Sequence, residues 1–187
     1  MELMLLRHGK PNIDSTAMIR SAEMQAWITE YNAAGITEKP DTATILNGCT
    51  YHFVVCSPLR RALESVDALG LKPNVVYDEL CEAPLPVLNL PLLKLTPVTW
   101  TVLFRLFWLS GGTCGTESFS SVKKRAKRVA CELELMATEH GRVLSVGHGF
   151  INMLIARELE RSGWKREKTG SSGYWANIKL VRETMPV

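Results

Sequence analysis

The sequence is short of the features that would mark an extracellular, membrane or nucleic-acid-binding chain. Its five cysteines, Cys49, Cys56, Cys81, Cys114 and Cys131, are odd in number, widely spaced and form no CxxC pair. That pattern argues against a disulfide framework and a zinc site, and it fits a reducing compartment. Uninterrupted apolar runs are missing as well. The opening run is broken by Glu2 and Arg7, unlike a secretory signal. The most apolar stretch, Ala83 to Leu109, is broken by Pro84, Pro86, Pro91, Lys94, Pro97 and Arg105. The expectation is a cytoplasmic protein with no membrane partner. Excess charge is also scarce. The 22 Lys and Arg against 19 Asp and Glu leave +3, which does not call for nucleic acid. The local cluster Lys123, Lys124, Arg125, Lys127 and Arg128 is expected to be a solvated helix face.

What remains is ordinary globular composition. With 187 residues, 46% of them hydrophobic, one domain over residues 1–187 can bury a sizeable core. The run Glu2–Leu6 reads as a buried strand. Met24, Trp27, Ile28 and Tyr31 then share a helical face that Gly35 stops. Tyr51–Cys56 reads as a second strand, with Ser57 as helix cap, Pro58 in the first turn, and Leu59, Ala62, Leu63 and Val66 on one face. A third short strand comes next at Asn74–Tyr77.

Residues 83–112 look like an inserted cap segment with a helix over Val98–Leu109, where Trp100, Phe104, Phe107 and Trp108 pack it onto the core. A long helix opens at Ser118 with Phe119, Val122, Ala126, Val129, Leu133 and Met136 on one face, and His140-Gly141 closes it. Val143–Val146 is a strand, Gly147-His148-Gly149 turns into another helix, and Ala176, Ile178 and Leu180 alternate in a last strand. Alternating strands and helices imply an α/β fold, a three-layer αβα sandwich with a mainly parallel sheet.

Ligands gather beyond the carboxyl ends of such strands. Arg7-His8-Gly9, Ser57 through Arg61, and His148-Gly149 all stand at strand ends. Their chemistry suits phosphoryl transfer without a metal. Imidazole is a nucleophile that is neutral near pH 7, and guanidinium forks bind phosphoryl oxygens. Nearby arginines disfavour a charged imidazole, and helix N-termini after Ser57 and His148 offer oriented N–H groups.

These segments resemble the motifs of the histidine phosphatase superfamily, which includes cofactor-dependent phosphoglycerate mutases. Leu6-Arg7-His8-Gly9 resembles its RHG signature, and Ser57-Pro58-Leu59-Arg60-Arg61-Ala62 its second motif. Gly115-Thr116-Glu117-Ser118 resembles the entry to its late helix, and Val143 through Gly149 its final strand and histidine. The resemblance implies that His8 becomes phosphohistidine while Arg7, Arg61 and His148 hold the phosphoryl oxygens, with Gly9 and Gly149 also lining the substrate. It implies an acid in Asp78-Glu79-Leu80-Cys81-Glu82: Glu82 by its spacing, with Glu79 the alternative. Neither cofactor nor metal is implied.

Three departures stand out. Ala83-Pro84-Leu85-Pro86 follows the acid segment in place of a glycine and a WEG-like sequence. Pro11 and Asp14 occupy places that often hold threonine or serine and asparagine, and Gly147 replaces a serine before His148. Asp14 is left outside the site, since a carboxylate there repels phosphate. Glu117 and Ser118 read as helix capping, and His52 and His140 as structural. The expected activity is phosphomonoester hydrolysis through phosphohistidine, on a phosphorylated small molecule or phosphoprotein. A phosphoglycerate-type mutase, a phosphohistidine protein phosphatase and a silent phosphate-binding scaffold are the alternatives.

Overall fold

Leu3, Met4, Leu5 and Leu6 are all fully buried in β1 (Glu2–Arg7). A strand buries every position only when both faces of its sheet are covered. The computed structural model describes residues 1–40, 50–167 and 173–183. After β1 come β2 (Ile19–Arg20), α1 (Met24–Ala33), β3 (Phe53–Cys56), α2 (Arg60–Ala68) and β4 (Val75–Val76). They are followed by β5 (Lys94–Leu95), α3 (Pro97–Leu109), α4 (Phe119–His140) and β6 (Arg142–Gly147). The chain continues with α5 (Gly149–Arg161), β7 (Lys165–Arg166) and β8 (Asn177–Val181).

Six strands form one sheet in the order β4-β3-β6-β1-β8-β7. The first four run parallel, and β8 and β7 continue the sheet antiparallel. Helices α4 and α5 cover one face, where Val122, Val129, Leu133, Ile151 and Ile155 meet Leu3, Leu5 and Val143. Helix α2 covers the other, where Ala62 and Val66 meet Met4, Leu6 and Val146. This is the expected three-layer αβα sandwich, and the two faces divide the odd and even side chains of β1 between them.

The long helix starts and stops where its sequence signals stand. The Ser118 hydroxyl accepts from the Ser121 N–H at 3.1 Å, and Gly141 ends the helix with a φ of 77°. Glu117 does not cap: it pairs with Arg125 at 3.0 Å. The basic cluster is therefore not wholly a solvated face. Lys123, Lys124, Lys127 and Arg128 are exposed, but Arg125 is turned inward with its side chain 11% exposed.

Helix α2 also departs from expectation. It begins at Arg60 with Leu59 as its cap residue and no capping side chain. Ser57 lies two residues before that cap position: its N–H donates to the Val146 carbonyl at 2.9 Å, extending the β3–β6 edge, and its hydroxyl faces the His148 ring at 2.9 Å.

The segment 83–112 lies outside the main sheet. Its strand β5 pairs antiparallel with β2 in a separate ribbon. Helix α3 starts one residue before the expected boundary, with Thr96 as cap and Pro97 in its first turn. Trp100 and Phe104 cluster with Met24 of α1, whereas Trp108 enters the main core. Phe107 is only half-buried, beside Gly112.

His52 and His140 are structural, as expected. The His52 Nδ1–H donates to the His140 carbonyl at 3.3 Å, and His140 stacks on Phe53. Among the described residues no helix is long and apolar enough to cross a membrane. Cys56, Cys81, Cys114 and Cys131 are free thiols, and Cys49 lies outside the described residues.

Candidate active site

Three neighbouring parallel strands, β3, β6 and β1, end side by side. The His8 N–H donates to the Gly147 carbonyl at 3.0 Å, just as Ser57 donates to Val146. His8, Ser57 and His148 therefore emerge at one carboxyl edge of the sheet, and Arg61 reaches the same edge from the first turn of α2.

His8 is 2% exposed. Its Nδ1 lies 2.7 Å from the Gly9 carbonyl, which can only accept, so Nδ1 carries the proton. Nε2 keeps its lone pair and accepts from the Arg61 Nε–H at 3.2 Å. Burial is the main cause that lowers the His8 pKa to about 3. The Gly9 carbonyl opposes it, and Arg61 and Arg7 lower it further. The arginines thus act as expected, but desolvation is the larger effect.

His148 takes the opposite tautomer. Its Nδ1 accepts from Arg61 Nη2 at 3.3 Å, and its Nε2–H donates to the Ser57 hydroxyl at 2.9 Å. Ser57 in turn faces the Cys81 thiol at 3.9 Å. Burial first, then Arg61, His8 and Arg7, lower the His148 pKa to about 2. The two rings lie 5.0 Å apart.

Arg61 is 1% exposed, and burial lowers its pKa. Its Nη1 donates to the Tyr31 carbonyl at 3.0 Å and the Asn32 side-chain carbonyl at 3.2 Å. Its guanidinium lies 4.5 Å from the centre of the Tyr31 ring, and that of Arg7 lies 4.6 Å from the centre of the Tyr174 ring. Burial raises the Tyr31 pKa to about 12, so its hydroxyl keeps its proton. Among the described residues the buried Nε of Arg7 has no hydrogen-bond partner. Among the described residues neither Arg7 nor Arg61 pairs with a carboxylate. Desolvating cations without a counter-ion is costly, and an oxyanion placed between them supplies what is missing.

Glu82 lies at the start of α5. One carboxylate oxygen accepts from the Phe150 N–H at 3.0 Å, and the other from Ile151 at 3.0 Å and Ala83 at 2.9 Å. The expectation that this helix end offers its N–H groups to phosphate is therefore corrected: Glu82 occupies those of residues 150 and 151. Glu79 points elsewhere, pairing with Arg128 at 2.7 Å. Arg7, Glu82, Gly149, Phe150, Met153 and Ile178 help line a cleft of about 390 Å³. Asp14 is paired with the Thr16 N–H and hydroxyl, both at 2.7 Å.

The glycines serve mainly as space. The Gly9 N–H is given to the Ser65 hydroxyl at 2.9 Å. A Cβ on Gly9 would lie 2.5 Å from the Trp175 ring. Gly149 opens α5 against Arg7, where a Cβ would sit 3.4 Å from its side chain.

Sequence reasoning missed Ser57 as a partner of His148, read Tyr31 only as part of a helical face, and missed Asn32, Ser65, Tyr174 and Trp175 altogether. Only Ser57 carried a signal, its place in the second motif.

The family model of the histidine phosphatase superfamily (branch 1) matches residues 3–171. The chain belongs to that superfamily. The match ends before Tyr174, Trp175 and the cleft residues Gly173, Ala176 and Ile178, and spans the other residues of the site just described. Among curated proteins no match is found.

Solved structures of histidine phosphatases share the fold. Mycobacterial glucosyl-3-phosphoglycerate phosphatase aligns with a TM-score of 0.61 and 20% identity, over 96% of this chain and 92% of that one. The alpha-ribazole phosphatase of Shigella flexneri gives 0.54 and 19%, over 84% and 79%. The phosphoserine phosphatase of Entamoeba histolytica gives 0.54 and 15%, over 96% and 90%.

Proposed function

We propose that the protein is a metal-independent phosphatase that hydrolyses a phosphomonoester through phosphohistidine on His8. One observation carries this reading: a neutral imidazole presents its Nε2 lone pair to the Arg61 guanidinium, with the charge of Arg7 within electrostatic reach, and neither arginine has a carboxylate partner among the described residues. Such a donor set fits an anion, and the lone pair is the nucleophile.

In the first step His8 Nε2 attacks phosphorus and the bond to the leaving oxygen breaks. Arg7, Arg61 and His148 hold the phosphoryl oxygens, the Arg61 N–H groups turning from the two imidazoles to the anion. Glu82, protonated and swung from the helix end toward the cleft, gives its proton to the leaving oxygen. In the second step water attacks phosphorus, the P–N bond breaks, and Glu82 takes the proton back. The lining of the cleft beside Arg7 and Glu82 includes the apolar Leu5, Phe150, Met153, Ala176 and Ile178, and it receives the leaving group.

An assay of p-nitrophenyl phosphate hydrolysis in EDTA tests the proposal. Turnover should persist with EDTA and fall by at least about 10³-fold in His8→Ala. Turnover abolished by EDTA, or unchanged in His8→Ala, would overturn it. Transfer between two positions of a phosphoglycerate without phosphate release would mark a mutase instead.

A further inference from the structure

Glu82 belongs to a short segment that has almost no regular structure of its own. One 3-10 turn, Asp78–Leu80, precedes it, and prolines 84 and 86 come after it. Backbone carbonyls in such a segment need partners from elsewhere. Two arginines provide them. Arg125 of α4 donates through Nη1 to the Glu79 carbonyl at 2.6 Å and the Cys81 carbonyl at 2.8 Å. Arg105 of α3 donates through Nη2 to the Ala83 carbonyl at 3.0 Å and through Nη1 to the Pro84 carbonyl at 3.2 Å.

Glu82 thus sits inside a bracket, gripped on its N-terminal side by the long helix and on its C-terminal side by the inserted segment. The two grips differ in what anchors them. Arg125 is tied to Glu117 by an ion pair at 3.0 Å. Arg105 has no carboxylate partner among the described residues. Its guanidinium lies 4.8 Å from the ring centres of both Trp108 and Phe150. Phe150 is also the residue whose N–H holds the Glu82 carboxylate, so one stack fixes both the segment's backbone and its side chain. Burial lowers the Arg105 pKa and the Glu82 charge opposes this, which places the two groups within electrostatic reach.

We infer that Arg105 is a positioning residue: through it, the inserted helix α3 sets where Glu82 stands and so couples the cap to proton delivery. The inference rests on the reading of Glu82 as the acid. A planar fork suits two adjacent carbonyls while lying against aromatic rings, which an ammonium does not match.

The test compares kcat/KM for two substrates, p-nitrophenyl phosphate, whose leaving group departs unprotonated, and a simple alkyl phosphate, whose leaving group needs a proton. Glu82→Gln should lower the alkyl value on the order of a hundredfold and the aryl value far less, because kcat/KM reports the phosphorylation of His8, while the aryl kcat also falls through the slowed water step. Arg105→Gln should lower the alkyl value about tenfold and leave the aryl value within about twofold.

Arg105→Lys keeps the charge and stands in if the glutamine variant fails to fold; it should show the same split at smaller size. If Glu82→Gln splits the substrates but the Arg105 variants reduce both equally or neither, the inference is overturned and the acid role stands. If Glu82→Gln shows no split, the acid role fails and the inference with it.

Discussion

Ser57 and Gly9 each settle which nitrogen of an active-site imidazole holds its proton. The Gly9 carbonyl takes the Nδ1–H of His8, and the Ser57 hydroxyl takes the Nε2–H of His148. The two rings accordingly present unlike nitrogens to Arg61. Both histidines have folded-state pKa values far below the ordinary 6.5, about 3 and about 2. Above pH 6.5 they are neutral folded or unfolded and contribute nothing. Below it the unfolded chain takes up protons that the folded chain refuses, so stability falls as pH drops toward the folded values. Between pH 7 and pH 5 the two together should cost about 4 kcal/mol. Urea unfolding at the two pH values measures this. A double variant, His8→Asn with His148→Gln, should lose most of the difference. Neither tautomer was legible in the sequence, because a tautomer depends on partners that meet only in the fold. The residue types themselves were legible, since each of Arg7, His8, Arg61 and His148 stands in a motif.

Among the elements, the strands and the long helix were legible because their apolar periods match their burial. Val122, Ala126, Val129 and Leu133 repeat at helical spacing and are fully buried. The start of α2 was not, because a Ser-Pro pair after a strand has the same appearance whether the serine caps a helix or extends a sheet edge. Prolines and glycines set residues 83–112 apart from the sheet pattern, but the ribbon they form with Ile19–Arg20 was not legible, since two-residue strands leave no period to read. Two tryptophans of α3 separate its two attachments. Trp108 lies in the main core, and its indole N–H donates to the Glu117 carbonyl at 2.8 Å. Trp100 lies in the cap cluster, with its N–H on the Ile19 carbonyl at 2.9 Å. Trp108→Ala should cost about 3–5 kcal/mol of global stability by urea unfolding. Trp100→Ala should cost less, and should instead speed proteolysis within residues 83–112, where the segment loses its hold on α1. Equal global losses with no change in local cleavage would contradict this division.

On the scale of the whole molecule, the strand order decides the site. β3, β6 and β1 are neighbours, so residues 57, 148 and 8 are brought together from three distant parts of the chain. The order of the motifs along the sequence made this convergence readable. The second layer was not readable: Tyr31 sits over Arg61 and Tyr174 over Arg7, yet nothing in the spacing of either tyrosine refers to an arginine. These contacts are properties of the assembled edge, where helix α1 and the turn before β8 each place a tyrosine over an arginine. Whether that edge passes a phosphoryl group to His8 is tested most directly by rapid acid-free quenching of turnover with a labelled aryl phosphate. An acid-labile, alkali-stable label is expected on the peptide that contains His8 and should be absent from His8→Gln. Label on another residue, or steady turnover with no covalent label in a variant slowed at Glu82, would contradict it.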